Sequence, residues 1–126
     1  MPINVSYIEN QIYRGEWIGD ITIEEVIHKM KETSVLATEH GNDKFVLIID
    51  LTQVGTIPFD LLNLRNIADS DHRVACYVVV KAPLVGQILG KMLNNVSSKN
   101  FIFTDSLEEA IQVGEGFIKT HDEEMI

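Results

Sequence analysis

Three aspartates stand where a ligand site is most expected in an α/β chain. Asp50 lies in an apolar run, whereas Asp60 and Asp105 precede segments with helical spacing. If the strands are parallel, their carboxyl ends meet at one edge of the sheet, where three carboxylates could hold a divalent cation. In the alternative, Asp50 accepts a backbone hydrogen bond, and the other two are helix-start acids that the macrodipole favours. We favour this alternative and expect neither a metal nor a cofactor.

The other side chains of reactive types are scattered along the chain. The single cysteine, Cys76, lies within an apolar run and is expected to be a small buried side chain rather than a nucleophile. No glycine-rich phosphate-binding motif occurs. The histidines stand in separate segments without the spacing of a metal site: His28, His40, His72 and His121. The sequence therefore predicts a protein that is not an enzyme.

Composition narrows the class of partner. The chain has 126 residues and a formal net charge of −9, with a hydrophobic content of 45% that is ordinary for a globular domain. Nucleic acid and anionic lipid are unfavourable partners because both attract clustered lysine and arginine. No apolar run approaches the roughly 20 residues that cross a bilayer, and the first residues do not resemble a secretory signal. A lone cysteine suits a reducing compartment, so we expect a cytoplasmic protein that does not insert into a membrane.

The secondary-structure elements that position the candidate aspartates are organised around residues 45–51. This segment is an apolar run interrupted only by Asp50. Such a run is typical of a strand buried on both faces, and residues 74–80 form a second one. Shorter segments at 3–7, 12–17 and 101–103 predict further strands, with helical spacing between and after them. The order β-β-α-β-α-β-α-β-α predicts an α/β fold with a mixed, mainly parallel sheet of four or five strands and about four helices. We expect one domain over residues 1–126, with residues 120–126 frayed.

The helix after the central strand is expected to begin at Pro58, because proline suits the first helical turn, and to end near Asp69. Its inner face is predicted to carry Phe59, Leu62 and Ile67, with Leu64 as a further candidate. A loop over residues 52–57 connects it to the strand.

The next helix is predicted to bury one apolar stripe: Val85, Ile88, Leu89, Met92, Leu93 and Val96. Gly86 and Gly90 fall about a quarter-turn away from that stripe. Glycine costs ~1 kcal/mol in a helix interior, so the pair predicts a close approach by another group. A neighbouring helix, a partner subunit and an apolar ligand are the alternatives. The sequence also leaves open whether the helices cover both faces of the sheet or only one.

Several segments together resemble one known family. They are the order of elements, Gly15 in the second strand, Ile-Ile-Asp-Leu at residues 48–51 and Thr-Asp-Ser-Leu-Glu-Glu-Ala-Ile at residues 104–111. Over about residues 3–120 the chain resembles STAS domains, which include bacterial anti-sigma-factor antagonists, and related small bacterial proteins compared with the lipid-binding CRAL-TRIO fold. The resemblance implies a non-enzymatic domain that binds a regulatory partner. The serine that is phosphorylated in such antagonists has no counterpart at residues 57–61, although Thr52 and Thr56 lie nearby.

Two functions are consistent with these observations. The first is a binding or regulatory module whose partner is another protein or a second copy of the chain, giving a homodimer. Its docking surface is expected in the loop and helix after the central strand, with these candidate residues: Asp50, Gly55, Thr56, Phe59, Asp60, Leu62, Gly86 and Gly90. The alternative is a carrier that holds a small apolar molecule or lipid between the sheet and the helix at residues 85–96.

Overall fold

The structure, a computed structural model, describes residues 3–124, with side chains up to Lys119. The predicted order of elements is confirmed in this part of the chain. Fraying of residues 120–126 stays a prediction, since the described side chains end at Lys119. The elements are β1 (Ile3–Glu9), β2 (Ile12–Gly19), α1 (Ile23–Glu39), β3 (Phe45–Val54), α2 (Leu61–Ala68), β4 (Val74–Val80), α3 (Leu84–Val96), β5 (Phe101–Thr104) and α4 (Leu107–Glu124).

The sheet has the strand order β1-β2-β3-β4-β5. Strands β2 to β5 are parallel, and β1 pairs with β2 in the antiparallel sense. Each crossover joins one strand to its next neighbour in a constant direction across the sheet. Because such crossovers are right-handed, all three crossover helices must lie on one face. The fold is therefore α/β with a mixed, mainly parallel sheet, as the sequence predicts.

The helices cover both faces of the sheet, with α1, α2 and α3 on one face and α4 on the other. The sequence left open whether they cover both faces or only one. The larger apolar cluster lies between the sheet and α1, α2 and α3 and includes Tyr13, Trp17, Leu47 and Tyr77. The smaller cluster lies under α4. Gly114 lets α4 approach closely, since an added Cβ atom would lie 3.2 Å from the Val46 side chain.

Strand β3 is the middle strand and is enclosed on both faces. The side chains of Phe45, Val46 and Ile48 are fully buried, so the prediction of a buried central strand is confirmed. The strand is longer than predicted, because β3 continues to Val54 and pairs there with Gly19 of β2.

Helix α2 starts later than the sequence suggests. Asp60 is its N-cap, and its side chain accepts a hydrogen bond from the Asn63 amide, so Pro58 precedes the helix. The later start means that Phe59 is not helical, and the buried stripe runs through Leu64 and Ala68. The prediction that Phe59 and Leu62 face inward is therefore wrong, since both are 62% exposed.

Helix α3 is rotated relative to the predicted stripe. Its buried residues are Gly86, Leu89, Gly90 and Leu93. Three residues of the predicted stripe are instead exposed: Val85, Ile88 and Val96. The glycines form part of the inward face because a surface without side chains lets the helix axis come closer to the sheet.

Candidate functional site

The loop between β3 and α2 is held against the loop between β2 and α1. The Gly55 amide donates to the Gly19 carbonyl oxygen over 2.7 Å, and the Thr56 amide donates to Asp20 Oδ1 over 3.1 Å. In return, the Ile21 amide donates to the Thr56 carbonyl oxygen. A Cβ atom at Gly55 would come within 2.6 Å of Asp20 Oδ1 and 3.1 Å of the Gly19 carbonyl carbon, so a side chain there would displace the Asp20 carboxylate. These contacts fix the start of the segment that leads to α2.

Large apolar side chains are exposed on α2 and α3 and just before α2. Phe59 and Leu62 are each 62% exposed, and Leu84 is 71% exposed. Val85 and Ile88, on the same helix as Leu84, are also exposed. The two helices contact each other and follow neighbouring strands, so these side chains share the end of the domain at the carboxyl ends of β3 and β4. We call these five residues the α2–α3 surface.

A cavity of about 110 Å³ lies beneath this surface, between the sheet and the three crossover helices. Its walls include Leu51 and Val79 from the sheet, Leu64 from α2, and Leu89 and Leu93 from α3. Nearly all of the wall is apolar. The cavity thus lies beside α3, where the carrier alternative expects its ligand, and it extends also under α1 and α2.

The two glycines of α3 line this cavity, and their closest neighbours are side chains rather than another helix's backbone. A Cβ atom at Gly90 would overlap the ring of Phe103 in β5. A Cβ atom at Gly86 would lie 3.3 Å from the side chains of Ile57 and Leu51. Both glycines therefore serve the packing of α3 on the sheet and the loop.

Asp50 lies on the opposite face of the sheet, away from the α2–α3 surface. Its Oδ2 accepts from Arg14 Nη2 over 2.6 Å, and its Oδ1 accepts from the Thr52 hydroxyl over 2.6 Å. Arg14 also bonds Glu16 over 2.9 Å. Burial raises the pKa of the Asp50 carboxyl, but the hydrogen bonds from Thr52 and Arg14 outweigh it, so the pKa lies below its usual range. Asp50 is thus an ion-pair residue under the α4 side of the sheet.

The other two aspartates do not approach Asp50. Asp60 caps α2, which lies on the other face of the sheet from Asp50, and Asp105 is exposed at the start of α4. There the Glu109 amide donates to the Ser106 hydroxyl, while Glu109 Oε1 accepts from the Asp105 amide. Among the residues with described placement, no group of three metal-binding side chains occurs.

The other side chains of reactive types are the cysteine and the histidines. Cys76 is fully buried under α4, and burial raises the pKa of its thiol to about 12. His28, His40 and His72 are exposed, and the side chain of His121 lies outside the described part of the chain.

The structure adds two residues of α1 to the candidate site, and the sequence pattern does not single them out. Lys29 is the only charged residue among the described residues that line the cavity, and its Nζ pairs with Glu32 Oε2 over 2.9 Å. One turn earlier, Glu25 Oε2 is buried and accepts no hydrogen bond from the described residues. The available signal was the position of Lys29 between Val26 and Met30, both of which belong to the buried stripe.

Comparisons with known proteins identify the fold. Neither family models nor curated proteins match the sequence. Among solved structures, the chain is similar to an uncharacterized protein of the DUF3478 family from Shewanella loihica PV-4, which has a SpoIIAA-like fold. The two are 14% identical, and the match covers 89% of this chain and 91% of the other with a TM-score of 0.61. The chain therefore has a SpoIIAA-like, or STAS-like, α/β fold, and the predicted likeness to STAS domains is confirmed at the level of the fold.

No helix among residues 3–124 is long and apolar enough to cross a membrane.

Proposed function

We propose that this protein is a non-enzymatic binding module that docks a second copy of itself through the α2–α3 surface. The single observation that carries the proposal is the exposure of Phe59, Leu62 and Leu84 at one end of the domain. Burying one such side chain contributes about 1.5–3 kcal/mol, so leaving several in water is unfavourable. Contiguous exposed apolar residues of this kind mark interaction sites.

The surface suits a self-complementary contact. An isologous dimer presents the same apolar side chains from both copies, and its centre needs no charged partner. The five side chains that define the α2–α3 surface are uncharged, and a contact centred on them would keep most of the net charge of −9 on each chain away from its middle. The hydrogen bonds at Gly55 and Thr56 hold the segment before α2 in place, so little ordering is needed on docking.

Sedimentation equilibrium tests this proposal. We expect the wild-type protein to have the mass of two chains, and the double variant Phe59→Ser/Leu84→Ser to have the mass of one. Val35→Ser is the matched control, because Val35 is 57% exposed on α1 and lies outside the α2–α3 surface. A wild-type protein that stays monomeric at its highest soluble concentration contradicts the proposal, as does a dimer that survives the double substitution.

The cavity favours a second function, a carrier of a small apolar molecule. Its volume of about 110 Å³ approaches that of an engineered apolar cavity of ~150 Å³ that binds benzene. Native mass spectrometry and organic extraction test this function, because a carrier should retain a ligand of one chemical class. Ala68→Leu adds bulk at the cavity wall and should reduce the retained ligand. If this variant retains as much ligand as the wild type, the result contradicts binding in the cavity.

A further inference from the structure

Helices α2 and α3 carry positive charge without carboxylates, although the chain as a whole is acidic. Aspartate and glutamate together number 19 in the sequence, yet neither helix contains one. Their charged residues are Arg65 and Lys91, and no ion pair among the described residues involves either of them. The Arg65 guanidinium donates only to the neutral side chain of Asn66, over 3.5 Å, and Lys91 is exposed. These two cations are therefore available to a carboxylate from outside the domain.

Contacts on one side of α3 show which of its faces is directed toward α2. Asn94 exchanges two hydrogen bonds with the backbone of Phe101, so this side of the helix faces β5. At about 3.6 residues per turn, Val85, Met92 and Val96 lie on the opposite side, toward α2. Met92 is half-buried, and Val85 and Val96 are exposed. The apolar part of the α2–α3 surface thus continues along the whole length of α3.

Helix α2 forms the other wall of a groove. Asp69, at its C-terminal end, accepts from the Ser97 hydroxyl over 2.6 Å and from the Ser98 amide over 3.1 Å, so this side of α2 faces the end of α3. Leu62 and Arg65 precede Asp69 by two turns and one turn, which places them on the same side. They therefore line the groove opposite the apolar residues of α3, and the carboxylate of Asp69 is already occupied.

Positive charge flanks this groove on both sides. Lys91 follows Ile88 by one turn and Leu84 by two turns, so it lies on the exposed side of α3 next to the apolar residues. Arg65 lies on the side of α2. An amphipathic helix that places its apolar face in such a groove brings its flanks to the two rims. Carboxylates on those flanks would pair with Arg65 and Lys91, whereas ammonium groups would be repelled.

We propose that the α2–α3 surface also binds an acidic amphipathic helix of another protein; this rests on the proposed function, because that helix would bury the same apolar side chains as a second copy. A second copy brings its own α2 and α3, which contain no carboxylate, and so leaves Arg65 and Lys91 unpaired at the centre of the contact. An acidic helix supplies the missing charges. Self-docking is thus the resting state, and the acidic helix displaces the second copy.

An anionic membrane is a poorer match for the same surface. Membrane surfaces attract clusters of several lysines and arginines. Arg65 and Lys91, with Lys81 just before α3, are few against a net charge of −9. A helix is narrow enough to contact the groove and its rims while leaving the acidic remainder of the chain at a distance.

Fluorescence anisotropy with three labelled peptides of about 16 residues, slightly longer than α3, tests the proposal. The first has leucine at steps of three and four residues and glutamate on both flanks. The second has lysine in place of each glutamate, and the third has the composition of the first with the leucine positions shuffled. We expect the first to bind about tenfold more tightly than either of the others. Equal affinity for the glutamate and lysine peptides, or no binding of the first, overturns the proposal.

Charge-reversal variants locate the binding. Arg65→Glu/Lys91→Glu should reverse the preference, so that the lysine peptide binds more tightly than the glutamate peptide. Lys31→Glu/Lys119→Glu is the matched control, since it makes the same change of net charge at exposed positions of α1 and α4 and should keep the wild-type preference. Lys91→Glu alone, at an exposed position, should weaken binding of the glutamate peptide if circular dichroism shows the double variant unfolded. An unchanged preference in the folded variants overturns the assignment.

Sedimentation equilibrium separates this proposal from self-docking. Saturating glutamate peptide should convert dimers into single chains that each carry one peptide. A dimer that excludes the peptide, or that binds it without dissociating, overturns the acidic-helix proposal and leaves self-docking intact. A protein that is monomeric without peptide and binds it through Arg65 and Lys91 supports the acidic-helix proposal and overturns self-docking. Binding to phosphatidylglycerol vesicles without binding to the peptide identifies a membrane as the occupant and overturns the acidic-helix proposal.

Discussion

Gly90 of α3 packs directly against the aromatic ring of Phe103 in β5. A Cβ atom at position 90 would overlap that ring, and Phe103 itself packs against the larger apolar cluster. The contact brings α3 close to the edge of the sheet. Gly90 also lines the cavity.

The substitution Gly90→Ala should lower the free energy of unfolding by about 1 kcal/mol. Overpacking costs about 1–3 kcal/mol, and the higher helix propensity of alanine offsets ~1 kcal/mol of it. Gly116→Ala in α4 is the matched control, since a Cβ atom there meets nothing within 4 Å, and this variant should be more stable than the wild type. Urea unfolding measures both changes. Adding Phe103→Leu should make Gly90→Ala less harmful, and a double variant without such coupling would show that the ring is not the obstacle.

The substitution Asp50→Asn should destabilise the protein by about 2 kcal/mol, because it leaves Arg14 without its buried partner. The side chain of Asp50 is 5% exposed in its pair with Arg14, whereas that of Glu16 is 27% exposed. Glu16→Gln removes the other partner of Arg14 and should cost less than ~1 kcal/mol. Equal losses of unfolding free energy in the two variants would mean that Asp50 is not the main anchor of Arg14.

Stability should decrease in acid partly through Asp71. The hydrogen bonds and charge of Arg73 hold the pKa of the Asp71 carboxyl well below its ordinary value of 3.8, and Ser34 adds a further hydrogen bond. The folded-state pKa is thus lower than the unfolded one, so the ionised form favours folding. This contribution is complete above about pH 5 and is lost as the pH falls through the unfolded pKa toward the folded one.

Urea unfolding at a series of pH values measures that contribution. The free energy of unfolding of the wild type should fall between about pH 5 and pH 2, and that of Asp71→Asn should fall less. Glu115→Gln, which changes an exposed carboxylate of α4, should keep the wild-type slope. An Asp71→Asn profile parallel to that of the wild type would contradict the role of Asp71.

Cys76 should not react with thiol reagents in the native protein at neutral pH. It is fully buried, and burial raises the pKa of its thiol to about 12, so both access and the thiolate form are lacking. Labelling with iodoacetamide, followed by mass spectrometry, should appear only in urea. Rapid labelling of the folded protein would show that α4 opens readily above β4.

The sequence by itself determined the order of the elements and the enclosed middle strand. Residues 45–51 and 74–80 are apolar on both faces, and a local pattern of that kind has few other interpretations. The likeness to STAS domains also came from the sequence, and it concerns the fold because the order of elements carries it.

Only the tertiary structure decided how those elements face one another. The rotation of α3 depends on Phe103, which lies in a different element from Gly90, so helical spacing alone placed Val85 and Ile88 on the wrong side. The pairing of Asp50 with Arg14 joins the neighbouring strands β3 and β2, and the juxtaposition of Lys29 with the cavity needs α1, α2, α3 and the sheet together. Local pattern reflects what each segment buries, whereas the identity of its neighbour is set by packing between segments that are distant in the chain.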